Sequence, residues 1–152
     1  MRTTIFTSVF ILVFWAGFVS AISFMEAWLK FQAPGVTLEV GLGIGIKVFK
    51  ALNLVEWVLL IAYLSVAIRR FSLLTGFVRI ASGIAALILA VQSFVVLPVL
   101  TQRALSIIAG EPVEPSFLHV GYVVAELIKV SLLILLAFKW SRFVQPSETY
   151  LS

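Results

Sequence analysis

Residues Phe117–Phe138 read FLHVGYVVAELIKVSLLILLAF. A bilayer is crossed by about 20 apolar residues of helix at roughly 1.5 Å of rise each, and this run is long enough. It nevertheless carries His119, Tyr122, Glu126 and Lys129, at steps of three, four and three. On a helix those positions fall on one stripe. Glu126 lies near mid-span, where a charge must have a partner or be neutral. A lipid-embedded helix with such a stripe needs other helices to cover it, so the stretch predicts a membrane bundle with a polar interior.

Composition points the same way. Hydrophobic residues make up 62% of the 152-residue chain and charged ones 12%, against roughly half and a quarter in a soluble domain. One small soluble core cannot hide that excess, so lipid must solvate much of it. The formal net charge is +4. Its basic residues sit at the ends of apolar runs, the pattern of membrane topology and not of a nucleic-acid-binding face. There are no cysteines, which excludes disulfides, thiolate metal sites and cysteine nucleophiles.

Working outward, three more spans are expected, giving 4–29, 49–68, 77–100 and 117–138 in all. Arg2 and Val19-Ser20-Ala21 resemble a cleavable signal peptide, but apolar sequence continues through Phe24, Met25, Ala27 and Trp28, which suits a full span. Gly17 and Ala21 on the first helix, and Ser82, Ala86 and Ala90 on the third, are spaced as close-packing faces. Gln32-Ala33-Pro34-Gly35 is a stop signal. Gly41, Gly43 and Gly45 lack the spacing and preceding strand of a dinucleotide fingerprint, and read as a pliable approach to the second helix, which has an alternative start near Val40. Asn53 and Glu56 fall inside that helix or nearly so. Pro98 is expected to kink the third helix near its end, with helix-compatible sequence continuing to Ile108. Gly110 to Pro115 is a loop, Ser116 is the expected N-cap of the fourth helix, and the polar tail from Gln145 is expected to fray.

Arg2, Arg69, Arg70, Arg79, Lys139 and Arg142 mark one side, while Lys30, Lys47, Lys50 and Arg103 mark the other more sparsely. The positive-inside rule then puts both termini in the cytoplasm. Depth can be counted from these belts. Glu56 is thirteen residues from Arg69, Gln92 thirteen from Arg79 and Glu126 thirteen from Lys139. All three come to roughly 18–20 Å above the basic belt, a shared layer from three helices. Lys129 lies one turn deeper on the same face as Glu126, and the two suit a local pair. Glu26, His119 and Tyr122 lie further out and form an outer approach.

Three function classes follow. The first binds or transports a small ligand, proton or cation through Glu56, Glu126, Lys129, Gln92, His119, Tyr122 and Glu26. The second is a structural or accessory subunit of a larger membrane complex or homo-oligomer, in which the layer only sets packing. The third is a metal-dependent membrane enzyme using Glu26, Glu56, His119 and Glu126, although the Glu-x-x-His spacing of di-iron bundles is absent. No serine has a hydrolase motif around it, the sequence leaves any cofactor open, and the balance is against an enzyme.

Trp15-Ala16-Gly17 in the first helix, with Val48-Phe49, Leu52-Asn53 and Glu56 in the second, is similar to a group of uncharacterised four-helix bacterial membrane proteins. The likeness covers the first half of the chain and has no activity to transfer. It implies a bacterial inner-membrane location. The expected fold is an all-α four-transmembrane-helix bundle with short connections.

Overall fold

The computed structural model describes residues 2–69 and 75–143. Arg70, the connection from Phe71 to Leu74 and the polar tail from Gln145 lie outside the described residues. What is described is helical, with no strand. Four helices are long and apolar enough to cross a membrane: α1 Arg2–Gln32, α2 Leu38–Ile68, α3 Gly76–Ile108 and α4 Leu118–Ser141. Each satisfies its own backbone hydrogen bonds, as an apolar solvent would require.

Local chemistry sets the ends. Gly35 turns the chain at φ +80°, and the Thr37 hydroxyl accepts from the Val40 amide to start α2. Thr75 does the same for Val78 at the start of α3. Gly110, at φ +75°, closes α3. At α4 the Ser116 hydroxyl accepts from the Leu118 amide, but the N-cap position itself is Phe117, one residue later than expected.

The second helix begins well before Phe49, because Gly41, Gly43 and Gly45 are helical and not a linker. The third runs past Pro98 to Ile108 without ending. A proline lacks the amide hydrogen and its ring crowds the carbonyl four residues back. The chain absorbs this with a π-helical stretch, Gln92–Val96, in which the Leu97 amide reaches the Gln92 carbonyl five residues earlier. Pro98 then falls in the first turn of the next α segment, where no amide is missed. A second π stretch, Ala21–Glu26, interrupts α1.

Packing is antiparallel between successive helices. We refer to the end bearing Arg2, Arg69, Arg79 and Lys139 as the near end and the opposite one as the far end. Helix α4 lies along α1 and against the near half of α3, and α2 covers α1 and the far half of α3. The core contains Leu12, Trp15, Leu52, Leu60, Leu89, Leu133, Leu136 and Trp140. Large apolar side chains also cover the outside, among them Phe10, Leu54, Ile61, Leu87, Phe94 and Phe138. Soluble monomers rarely expose apolar surface on this scale.

Neither expected small-residue face is used as anticipated. Gly17 and Ala21 are exposed, and nothing lies within 4 Å of a Cβ placed on Gly17. On α3 the buried row is Val78, Ala81, Ala85 and Leu89, leaving Ser82, Ala86 and Ala90 half-buried beside it. The shift is one residue, about 100° of helix rotation, and it is what carries Gln92 inward.

Candidate functional site

The polar stripe of α4 begins exposed and ends sealed. His119 is exposed, Tyr122 is buried, and Glu126 and Lys129 are both 0% exposed. The change follows from what covers each turn: Tyr122 meets the edge of Phe49 on α2, and below it three other helices close over the stripe.

Lys129 sits at the centre. Its Nζ lies 2.6 Å from Glu56 Oε1 and 3.1 Å from Glu126 Oε2, and donates to Gln92 Oε1 at 2.8 Å. Three acceptor side chains thus surround one ammonium. Glu56 Oε1 also accepts from the Trp15 indole at 2.9 Å. Gln92 is held from its other end, its amide NH2 donating to the Tyr122 carbonyl at 3.4 Å. All four helices contribute: Trp15 from α1, Glu56 from α2, Gln92 from α3, and Tyr122, Glu126 and Lys129 from α4.

The centre does not balance. Two carboxylates face one ammonium, so the fully ionised cluster carries one net negative charge. Glu56 Oε2 and both oxygens of Glu126 are buried without a hydrogen-bond partner. Glu126 Oε2 is within ion-pair distance of Lys129 but lacks the alignment of a hydrogen bond. The Tyr122 phenol and the Lys129 ammonium are the donors that face Glu126, both in a geometry looser than an ordinary hydrogen bond. An uncompensated buried charge costs several kcal/mol, roughly, and a buried acceptor without a donor about 1–3 kcal/mol. With both carboxylates ionised, the centre is one positive charge short of neutral.

Of the seven residues expected to form the site, five converge here: Glu56, Gln92, Tyr122, Glu126 and Lys129. The other two do not. Glu26 pairs with Lys30 at 3.2 Å on α1, and His119 lines a cavity at the far end. This separates the four proposed metal donors. Among the described residues no three of His, Cys, Asp and Glu are grouped as a metal site. The expected local pair of Glu126 and Lys129 forms, but Lys129 lies closer to Glu56 on another helix.

Trp15 was not among the candidates, yet it is one of the largest fully buried side chains and the partner of Glu56. The depth count that found the layer would have found it too, since Trp15 is thirteen residues from Arg2. A tryptophan at that depth, away from the interfacial belts it ordinarily favours, signals an indole with a buried acceptor.

Two neutral networks flank the centre. Asn53 and Trp57 on α2 both donate to the Ser93 hydroxyl, at 2.7 and 3.0 Å, and Ser93 passes a hydrogen bond to the Leu89 carbonyl. Toward the near end the Trp140 indole donates to the Tyr63 hydroxyl at 3.1 Å, and Tyr63 shares a hydrogen bond of 2.9 Å with Ser82. Toward the far end, a cavity of about 300 Å³ is bounded by all four helices and has Tyr122 in its wall. Tyr122 is therefore shared between the cavity and the charged centre. No protein-family model, curated protein or solved structure matches this chain.

Proposed function

We propose that the chain is an integral membrane protein with four spans and both termini in the cytoplasm, and that its Glu56–Lys129–Glu126 centre takes up a proton while binding or transporting a small ligand. The observation that carries this is the imbalance of charge: one ammonium lies between two fully buried carboxylates. A proton on Glu126 makes the centre neutral. Ionisable groups inside a membrane bundle commonly serve as such relays. Tyr122, touching both Glu126 and the cavity, gives the proton its route toward the far side.

A purely structural role fits less well. Helices α2, α3 and α4 are already tied by the neutral Tyr63–Ser82–Trp140 network, which pins the bundle without burying a charge. Pinning requires no second carboxylate.

The test is infrared difference spectroscopy of the protein in liposomes through a pH titration, with Glu126→Gln as the comparison. The expected result is a protonated-carboxyl band that is lost in Glu126→Gln, while the variant stays folded because the amide is neutral like the protonated acid. If no such band exists, and Glu126→Gln only lowers the melting temperature, the layer is structural.

A further inference from the structure

The far-end cavity has apolar walls, including Phe31, Leu42, Phe49, Leu97, Leu100 and Ile107. Two cationic residues, Lys30 and Arg103, line that apolar space together with His119, and among the described residues no Asp or Glu does.

Lys30 is the informative residue. A lysine at the end of a membrane helix ordinarily extends its ammonium to water. Here the side chain is 9% exposed. Its Nζ lies 5.5 Å from the centroids of both the Phe31 and Phe49 rings. Helix α2 makes the room with glycine: a Cβ on Gly45 would lie 3.3 Å from Lys30 Nζ, and one on Gly41 would strike the Phe31 ring. Two of the three glycines of that approach thus make room on α2, Gly45 for the Lys30 ammonium and Gly41 for the Phe31 ring. Glu26 is the one carboxylate paired with Lys30 among the described residues, and an ammonium has three protons to give. Arg103 donates to the Glu114 backbone carbonyl. It forms no ion pair with a carboxylate among the described residues, and a guanidinium has five N–H donors.

We infer that this cavity binds a small anionic amphiphile, its carboxylate or phosphate held by Lys30 and Arg103 and its apolar tail lying against Leu97, Leu100 and Ile107. Cations facing an apolar hollow are satisfied by an acid head, and charge-assisted bonds to Lys and Arg are the strong ones. A neutral or cationic ligand would take no charge-assisted hydrogen bond from the N–H groups that Lys30 and Arg103 still have to give. About 300 Å³ is at the lower end of ligand-pocket size, which limits the ligand to a head and one short chain, or to the head and first carbons of a lipid. The inference does not depend on proton uptake at Glu126, since only Tyr122 belongs to both sites.

The experiment uses the full chain in phosphatidylcholine nanodiscs, with dodecyl phosphate and dodecan-1-ol as probes and the melting temperature as readout. Dodecyl phosphate is expected to raise the melting temperature more than the alcohol at equal concentration. Lys30→Gln and Arg103→Gln should each weaken phosphate binding by about tenfold, the scale of one charge-assisted hydrogen bond. Ala104→Phe, which fills the cavity from α3, should remove the response to both probes. Leu54→Ala, on the outer surface of α2 and away from the cavity, should bind as the unaltered chain does. Equal responses to phosphate and alcohol, undiminished binding in Arg103→Gln, or persistence of the response in Ala104→Phe would each overturn the inference. Should Lys30→Gln fail to fold, Arg103→Gln carries the charge test alone. Adding phosphatidylglycerol to the nanodiscs then identifies the source: competition with dodecyl phosphate shows that a lipid headgroup supplies the anion, and its absence shows that a free amphiphile does.

Discussion

Lys129 has two carboxylate partners of different kinds. Glu126 is three residues away on the same helix and Glu56 comes from α2. The first was legible from spacing alone, because residues three apart on a helix are neighbours wherever the helix goes. The second depends on how two helices are registered, which spacing within one of them does not encode. Depth counting supplied part of that register. It placed Glu56 and Gln92 level with Glu126, but it gave heights without azimuths, and a tryptophan, mostly apolar with one N–H, does not stand out as polar in such a count. Removing the ammonium should expose the dependence of both carboxylates on it. Lys129→Met is expected to destabilise the bundle by about 3–5 kcal/mol, the cost of breaking a buried pair from one side. Adding Glu56→Gln to that variant should restore most of the loss, since it removes the carboxylate that sits closest to the missing charge. Thermal unfolding of the single and double variants in one detergent checks this; a double variant no more stable than the single would show that Lys129 acts by packing.

The third helix shows how one extra residue serves two surfaces. Its near half turns Val78, Ala81, Ala85, Leu89 and Gln92 inward, and its far half turns Leu97, Leu100 and Ala104 to the cavity. The step from Gln92 to Leu97 is five residues, where a regular helix would use three or four. The π stretch Gln92–Val96 absorbs the surplus, and Pro98 favours it there by rejecting the ordinary hydrogen bond to Phe94. Such bulges often sit at functional positions, and here one holds both Gln92 and Ser93. A single-residue deletion should distinguish this stretch from the rest of the helix. Val95 and Leu87 are both exposed. Deleting Val95 returns the stretch to α-helix and leaves both faces aligned. Deleting Leu87 rotates everything beyond it by about 100°. The Val95 deletion should therefore melt closer to the unaltered chain, and the opposite ranking would refute the account of the bulge.

Across the molecule, polarity is turned inside out, with charged groups in the middle of the bundle and large apolar side chains around it. The proposed orientation can be checked directly, because the chain contains no cysteine and any introduced one reports alone. In sealed right-side-out vesicles, a cysteine at Gly110 or Glu111 should react with a membrane-impermeant maleimide. One at Arg2 or Arg142 should react only after permeabilisation. Labelling in the reverse pattern would invert the topology and put the cavity on the cytoplasmic side.

By itself the sequence determined the number of long apolar helices and the level at which Glu56, Gln92 and Glu126 lie. Helix rise and hydropathy are local properties, and charge at mid-span is conspicuous in so apolar a chain. Only the tertiary structure decided which groups meet. Azimuth depends on packing, so it alone turned Tyr122 toward the centre, paired Glu26 with Lys30 and turned the α3 row by one residue. Packing also brought Trp15 to Glu56 and seated Lys30 among the glycines of α2. The unbalanced charge of the centre is likewise a tertiary fact, because it arises when a carboxylate from one helix closes on an ammonium that already has a carboxylate neighbour on its own.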